Sequence, residues 1–238
     1  MSGNIGHIPN FKIGHIPRNK IRQPIYAYGY GNVIAWWSAD YGTDTVVNGA
    51  SITTWKDKVK GSILRSVISP TYTSSDANFN NKPSIKFSTT KNMTFDNPLG
   101  FGTSFSLLCV YKLIGLSSAS NGFLQSGAGN LGDPVELNAS TTSHGERLQD
   151  FSNVNFGSSV NDTNPHVSVI TPENIRRDGI SVASGGTSLQ FNSATQIGSS
   201  SANRGLNADI VEIIMIDRTL TTLEMDNWRD NARQPYGL

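Results

Sequence analysis

The feature that most constrains the fold of this chain is a succession of short apolar runs separated by turn-rich stretches. Runs rich in β-branched and aromatic residues are typical of strands, and they occur here at residues 33–37, 63–68, 84–87, 105–112, 166–170, 179–182 and 209–216. Turn-forming residues dominate between them, as at 41–48, 73–82 and 117–122. Many strands at this spacing, without helical patterns between them, predict an all-β sandwich or jelly roll rather than a βαβ fold.

Charge and cysteine content exclude several classes of protein. Only 16% of the residues are charged, and 19 basic residues face 18 acidic ones. A net charge of +1 gives no reason to expect a general binder of nucleic acid or of membrane surfaces. No segment approaches the 18 apolar residues that would predict insertion into a membrane. The single cysteine, Cys109, excludes an intramolecular disulfide and lies in an apolar run, so we expect it to be a buried core residue.

Two strands and one helix can be placed with some precision. The runs at 105–112 and 210–216 are apolar on both faces, which predicts central strands covered on both sides. Thr221 and Glu224 have the spacing of a capping box. A hydrophobic staple and an apolar stripe at helical spacing support a short C-terminal helix at this point; their residues are Leu220, Met225, Trp228 and Ala232.

Residues 1–29 differ from the body at 30–238. The pentapeptide Ile-Gly-His-Ile-Pro occurs twice, and the segment to Arg22 carries basic residues and no acid. Proline and glycine favour an extended arm that cannot bury its isoleucines against itself. The repeat favours two equivalent contacts with neighbouring subunits, and packing along the arm's own domain is the alternative. The residues assigned to anchoring are Ile5, His7, Ile8, Pro9, Ile13, His15, Ile16, Pro17, Arg18 and Arg22.

The junction between arm and body carries three tyrosines, Tyr26, Tyr28 and Tyr30. They either form a glycan site or pack the arm onto the body, and packing is the favoured interpretation. The first residues of the sequence do not have the pattern of a signal peptide. We therefore expect synthesis in a cytoplasm.

The order of several motifs resembles laminin-G-like modules with the concanavalin A-like jelly roll. Residues 33–40 and 52–57 resemble the opening of such modules, and 82–87 followed by 105–111 resembles their next two core strands. Asp178-Gly179 resembles a hairpin turn of the family, while 196–198 and 208–220 resemble its closing strands and terminal helix. Such modules occur in adhesion proteins, bacterial surface proteins and structural proteins of bacteriophages. The resemblance implies a binding or structural role more often than catalysis.

Three kinds of chemistry are relevant to these residues. A glycosidase of this fold needs two facing carboxylates, and we expect Glu212 to be the only acid of the closing strand, with Arg218 as its structural partner. The glycine spacing at 127–132 matches that of a dinucleotide-binding motif. Because that motif requires a following helix and none is predicted here, we expect a glycine-rich turn between strands. No cofactor is expected, with calcium as a weak alternative at the loop aspartates Asp40, Asp44, Asp133 and Asp162.

The leading hypothesis is a non-enzymatic virion protein of a tailed bacteriophage, either a capsid decoration or a tail appendage. In it the arm would bind other virion proteins in a multi-copy assembly, and the jelly roll would be displayed for assembly or host adhesion. The alternative is a carbohydrate-binding lectin module of a tail fibre or of a bacterial surface protein. A glycoside hydrolase is the third and least favoured interpretation.

Overall fold

The computed structural model describes residues 32–88, 90–99, 103–114, 122–125, 135–136, 146–149, 155–158, 162–184, 194–198 and 206–238. In chain order the strands in these ranges are β1 (Val33–Ser38), β2 (Thr54–Lys56), β3 (Ile63–Ile68), β4 (Thr71–Asp76), β5 (Lys82–Phe87), β6 (Asn92–Leu99), β7 (Ser106–Leu113), β8 (Gly122–Gln125), β9 (Val135–Glu136), β10 (Glu146–Gln149), β11 (Asn155–Ser158), β12 (Pro165–Ile170), β13 (Asn174–Arg177), β14 (Ile180–Ser184), β15 (Ala194–Gly198) and β16 (Ala208–Ile216). The helix α1 (Thr222–Arg233) follows β16, and short 3-10 helices span Ala77–Phe79 and Gln234–Tyr236.

The strands form two antiparallel sheets that pack as a jelly-roll sandwich, which confirms the predicted fold class. The first sheet has the order β14-β13-β12-β7-β16-β5-β4, with β1 also paired to β16. The second has the order β11-β10-β9-β8-β15-β6-β3-β2. One buried core joins them, with Ile85 and Ile213 from the first sheet and Leu64, Met93 and Phe95 from the second. Within the described residues, no helix is long and apolar enough to cross a membrane.

The central strands are apolar on both faces because two different layers cover them. β7 lies between β12 and β16. Its Cys109 and Tyr111 face the sandwich core, whereas Leu108 and Val110 are buried without joining that core. Helix α1 contacts β12 and β7, so the outer face of the first sheet is covered as well. The predicted position of Cys109 as a buried core residue is confirmed.

The capping residues start α1 where the sequence places it. The Glu224 N–H donates to Thr221 Oγ1 at 3.4 Å, and the Thr221 N–H donates to Glu224 Oε2 at 2.9 Å, so the capping box is complete. The buried side of the helix consists of Met225, Trp228 and Ala232. This stripe is the predicted one, and it attaches the helix to the sandwich.

Two sequence predictions of local structure need correction. Residues 73–82 were expected to be a turn, yet residues 73–76 belong to β4, which pairs with β5. Ser74, Ser75 and Asp76 are typical of turns, and the burial of Tyr72 against the core stabilises the strand in their place. The strand expected at 179–182 begins one residue later, because Asp178 and Gly179 form the hairpin turn with φ of 51° and 88°. That turn itself is as the resemblance implies.

Candidate functional site

A buried aspartate organises the loop that follows β2. Asp57 is 1% exposed, and its carboxylate accepts hydrogen bonds from backbone N–H groups on both sides of the loop. The donors are Trp36 at 3.0 Å, Val59 at 2.7 Å, Lys60 at 2.9 Å and Ser62 at 3.0 Å. Hydrogen bonds to an ionised acceptor are short and strong. The carboxylate therefore holds residues 58–62 against β1.

A glycine brings the loop after β1 against β2. Gly42 has φ of +76°, and a Cβ at this position would lie 2.3 Å from the Lys56 carbonyl oxygen. The Lys56 N–H donates to the Gly42 carbonyl at 2.9 Å. Only a residue without a side chain allows this approach at a positive φ. The contact places Tyr41, the residue before Gly42, beside the start of the Asp57 loop.

An exposed aromatic ring and an ion pair meet at this point. The Lys58 ammonium lies 3.2 Å from the Asp40 carboxylate, 4.5 Å from the centre of the Trp36 ring and 5.7 Å from that of Tyr41. Tyr41 is 45% exposed, and every other aromatic side chain whose burial the structure describes is buried. We call Asp40, Tyr41 and Lys58 the Tyr41 surface. It combines a face for stacking with one hydrogen-bond acceptor and one donor group.

A buried carboxyl is linked to the Tyr41 surface through Trp36. The indole Nε1–H of Trp36 donates to Glu212 Oε1 at 2.7 Å, and the Tyr236 hydroxyl is a second hydrogen-bond partner of Glu212. Burial raises the pKa of Glu212 to about 7, and the nearby charge of Asp40 acts in the same direction. The Trp36 hydrogen bond and the Lys58 charge oppose that shift. Glu212 is therefore partly protonated at neutral pH.

The predicted partner of Glu212 is wrong. Arg218 instead forms a two-pronged ion pair with Glu224, at 2.7 Å from Oε1 and 3.0 Å from Oε2. The arginine lowers the pKa of Glu224 to about 2. Arg218 lies after β16 and so near the start of α1, where Glu224 already belongs to the capping box. Sequence distance alone could not distinguish these two acids.

The expectation that Glu212 is the only acid of the closing strand is also wrong. β16 begins at Ala208 and thus includes Asp209, which lies opposite Lys86 and Lys112. Ala208 and Ile210 join the sandwich core before an irregularity in the pairing, and Ile213 joins it after, so both acids lie on the outer face of the sheet. Burial raises the pKa of Asp209 to about 6, and the charge of Asp76 adds to this. Their different neighbours give the two acids separate environments.

A histidine between two aspartates forms a second polar cluster. His166 is buried, with Nδ1 at 2.7 Å from Asp178 and Nε2 at 2.9 Å from Asp162. Burial lowers the pKa of His166, but the hydrogen bonds and charges of the two carboxylates outweigh it and raise the pKa. Asp178 also accepts a hydrogen bond from the Val167 N–H at 3.0 Å. The cluster ties the β13–β14 hairpin turn to β12.

The aspartates considered for calcium have other partners where the structure describes them. Asp44 accepts hydrogen bonds from the backbone and side chain of Thr53, while Asp40 and Asp162 bind Lys58 and His166. In the described ranges no three His, Cys, Asp or Glu side chains are grouped so that they could hold a metal ion. Asp133 lies outside these ranges, and calcium binding stays an untested prediction.

The predicted anchoring arm and the glycine-rich stretch at 127–132 lie outside the described residues. The same holds for Tyr26, Tyr28 and Tyr30. Their assignments therefore stay predictions. In turn, sequence reasoning missed the Tyr41 surface. A single tyrosine in a turn has no distinctive pattern, and Asp40 was considered only as a calcium ligand.

No protein-family model matches the chain, and no curated protein matches it. Solved structures do. Domain 4 of a GH43 extracellular arabinanase from Geobacillus stearothermophilus, in complex with arabinotriose, is 11% identical with a TM-score of 0.62, over 83% of this chain and 98% of that one. Trypanosoma rangeli sialidase in complex with sialic acid is 12% identical with a TM-score of 0.54, over 86% of this chain and 33% of the sialidase. The binding domain of Paraclostridial Mosquitocidal Protein 1 is 9% identical with a TM-score of 0.57, over 84% of this chain and 52% of that one.

At such low identity these similarities concern architecture. The chain spans about a third of the sialidase and nearly all of the arabinanase domain. None of the three bears on the laminin-G-like subgroup or on a bacteriophage origin. The chain is a β-sandwich of the architecture found in these carbohydrate-active and binding proteins.

Proposed function

We propose that this chain is a carbohydrate-binding β-sandwich module that does not act as an enzyme. The observation that carries the proposal is the exposed ring of Tyr41 beside the Asp40–Lys58 ion pair. An aromatic face offers apolar area at low conformational cost, as sugar rings require. The carboxylate accepts hydrogen bonds and the ammonium donates them, so together they suit neighbouring sugar hydroxyls.

The similar structures support a sugar ligand. The arabinanase domain that this chain matches over nearly its whole length was solved with arabinotriose. The sialidase was solved with sialic acid, and the third match is a binding domain. Fold alone does not determine function, so this support is secondary to the Tyr41 surface.

The environment of Glu212 supports a non-catalytic role. A retaining glycosidase places two carboxylates about 5.5 Å apart around the sugar bond. Glu212 is only 5% exposed and is held by Trp36 and Tyr236. A substrate could reach it only if these groups moved. We therefore assign Glu212 to the support of the Tyr41 surface.

Binding of arabinotriose and of a glycan array by the full chain tests this proposal. Tyr41→Ala should weaken binding of any glycan hit by about tenfold or more, the equivalent of 1.4 kcal/mol. Leu223→Ala is the matched control. Leu223 is 71% exposed on α1, so this substitution also removes exposed apolar area, but outside the Tyr41 surface. An array without hits, or equal affinities of the two variants, would overturn the proposal.

We further propose the setting in which such a module works, the surface of a tailed-phage virion. Support comes from the repeated pentapeptide of residues 1–29, which suits binding to other virion proteins. Deletion of residues 1–24 should leave the sandwich folded and prevent its incorporation into particles. Normal incorporation of the shortened chain would refute the anchoring role.

A further inference from the structure

The loop after β2 presents its charges unequally to solvent. Lysines occupy alternate positions 56, 58 and 60, and Asp57 is the only acid between them. Asp57 is turned inward, where backbone N–H groups bind its carboxylate. Lys56 and Lys60 are exposed. The charge that this loop presents to solvent is therefore positive.

The lysines lie next to the Tyr41 surface. The Lys58 N–H donates to the Trp36 carbonyl at 2.8 Å, and the Lys56 N–H donates to the Gly42 carbonyl at 2.9 Å. The Lys56 side chain passes over Gly61, where a Cβ would lie 3.2 Å from its Cε and 3.9 Å from its Nζ. The backbone of Lys56 and Lys58 therefore lies against the segments that carry Trp36 and Tyr41, and Lys60 follows two residues later in the same loop.

Two of these ammonium groups have no carboxylate partner within the described part of the chain. Lys58 pairs with Asp40, but no ion pair there joins Lys56 or Lys60 to an acid. Lys86 and Lys112 differ, since both lie beside Asp209 and lower its pKa against the effect of burial. An anionic ligand bound next to this loop would meet two lysines that no ion pair of the described residues engages.

We infer that the saccharide bound at the Tyr41 surface carries carboxylate groups, which Lys56 and Lys60 bind while Tyr41 stacks on a sugar ring. This inference rests on the proposed carbohydrate binding and adds the class of ligand. Lys58 and Asp40 contact the hydroxyl groups. The ammonium groups select acidic over neutral sugars, because long-range attraction acts only on charged ligands.

The test compares acidic and neutral probes on the full chain by calorimetry at low and high salt. The acidic probes are trigalacturonate and 3′-sialyllactose, and the neutral ones are arabinotriose and lactose. The double variant Lys56→Gln/Lys60→Gln should weaken binding of the acidic probes by about threefold to tenfold, as expected for two exposed ion pairs. Binding of the neutral probes should not change. Lys86→Gln is the control and should leave all affinities unchanged.

The outcomes separate this inference from the proposed function. Neutral probes that bind as tightly as acidic ones, or a double variant with unchanged affinities, would refute the acidic ligand and leave carbohydrate binding standing. Absence of binding by every probe and on the glycan array would refute both. Poly-glutamate tests for attraction to charge alone. Equal binding of poly-glutamate, unaffected by Tyr41→Ala, would also refute the inference.

Discussion

Replacing Glu212 with glutamine tests whether a buried, partly protonated carboxyl controls the stability of this sandwich at neutral pH. Burial raises its pKa from the usual 4.5 to about 7 in the folded protein. The folded state therefore binds the proton more tightly than the unfolded state does. The contribution is fully present below pH 4.5 and is lost as the pH rises through 7.

The size of the effect follows from that difference. One pKa unit corresponds to 1.36 kcal/mol, so the contribution of Glu212 to the free energy of unfolding should fall by about 2 to 3 kcal/mol between pH 5 and pH 8. Glutamine keeps an acceptor for the Trp36 indole and has no proton to lose. Glu212→Gln should therefore be at least as stable as the natural protein at pH 8, and it should lose less stability over this range.

Urea unfolding of both proteins at pH 5, 6, 7 and 8 measures this. The comparison between the two proteins matters, because His166 also has a raised pKa and loses its contribution as the pH rises. That loss is common to both and cancels in the difference. Free energies of unfolding that run parallel with pH in the two proteins would refute the raised pKa of Glu212.

Three further substitutions have clear expectations. Asp57→Ala leaves the buried Trp36 N–H and three N–H groups in partly buried hydrogen bonds without their acceptor. The substitution should lower the free energy of unfolding, measured in urea, by about 3 kcal/mol. A loss below 1 kcal/mol would contradict the role of this loop. Gly179→Ala should lower the melting temperature more than Gly49→Ala does. Both glycines have positive φ, but only the Cβ at position 179 would meet a neighbouring side chain, with Arg229 Nη1 at 1.7 Å. Equal melting temperatures would contradict this. Thr221→Ala removes the N-cap of α1 and should lower the free energy of unfolding by about 1 kcal/mol. An unchanged midpoint of urea unfolding would argue against the capping box.

The parts of the fold that were predictable from sequence have local signals. The apolar runs of β7 and β16 predict central strands because a strand buried on both faces has no polar alternation. The spacing of Thr221 and Glu224 predicts the start of α1 because a capping box involves residues only three apart. β4 was not predicted over its whole length because Ser74, Ser75 and Asp76 favour turns in isolation, and only the pairing with β5 makes this segment a strand.

The candidate site had no such local signals. Trp36 and Glu212 are 176 positions apart in the chain, yet they share a hydrogen bond of 2.7 Å. The irregularity before Glu212 is a property of the pairing between β16 and β7, which no single segment encodes. Arg218 was assigned to the wrong glutamate for the same reason, since both acids lie at similar sequence distance.

The sequence by itself determined the all-β class, the two central strands and the C-terminal helix, because hydrophobic periodicity and capping act over a few residues. Tertiary structure alone decided which polar groups meet. Asp57 organises its loop, and Glu212 has a raised pKa, because strands distant in sequence bury both carboxyl groups. The Tyr41 surface arises in the same way, since a turn, a glycine contact and a lysine from another loop must converge before a ring and an ion pair can act together.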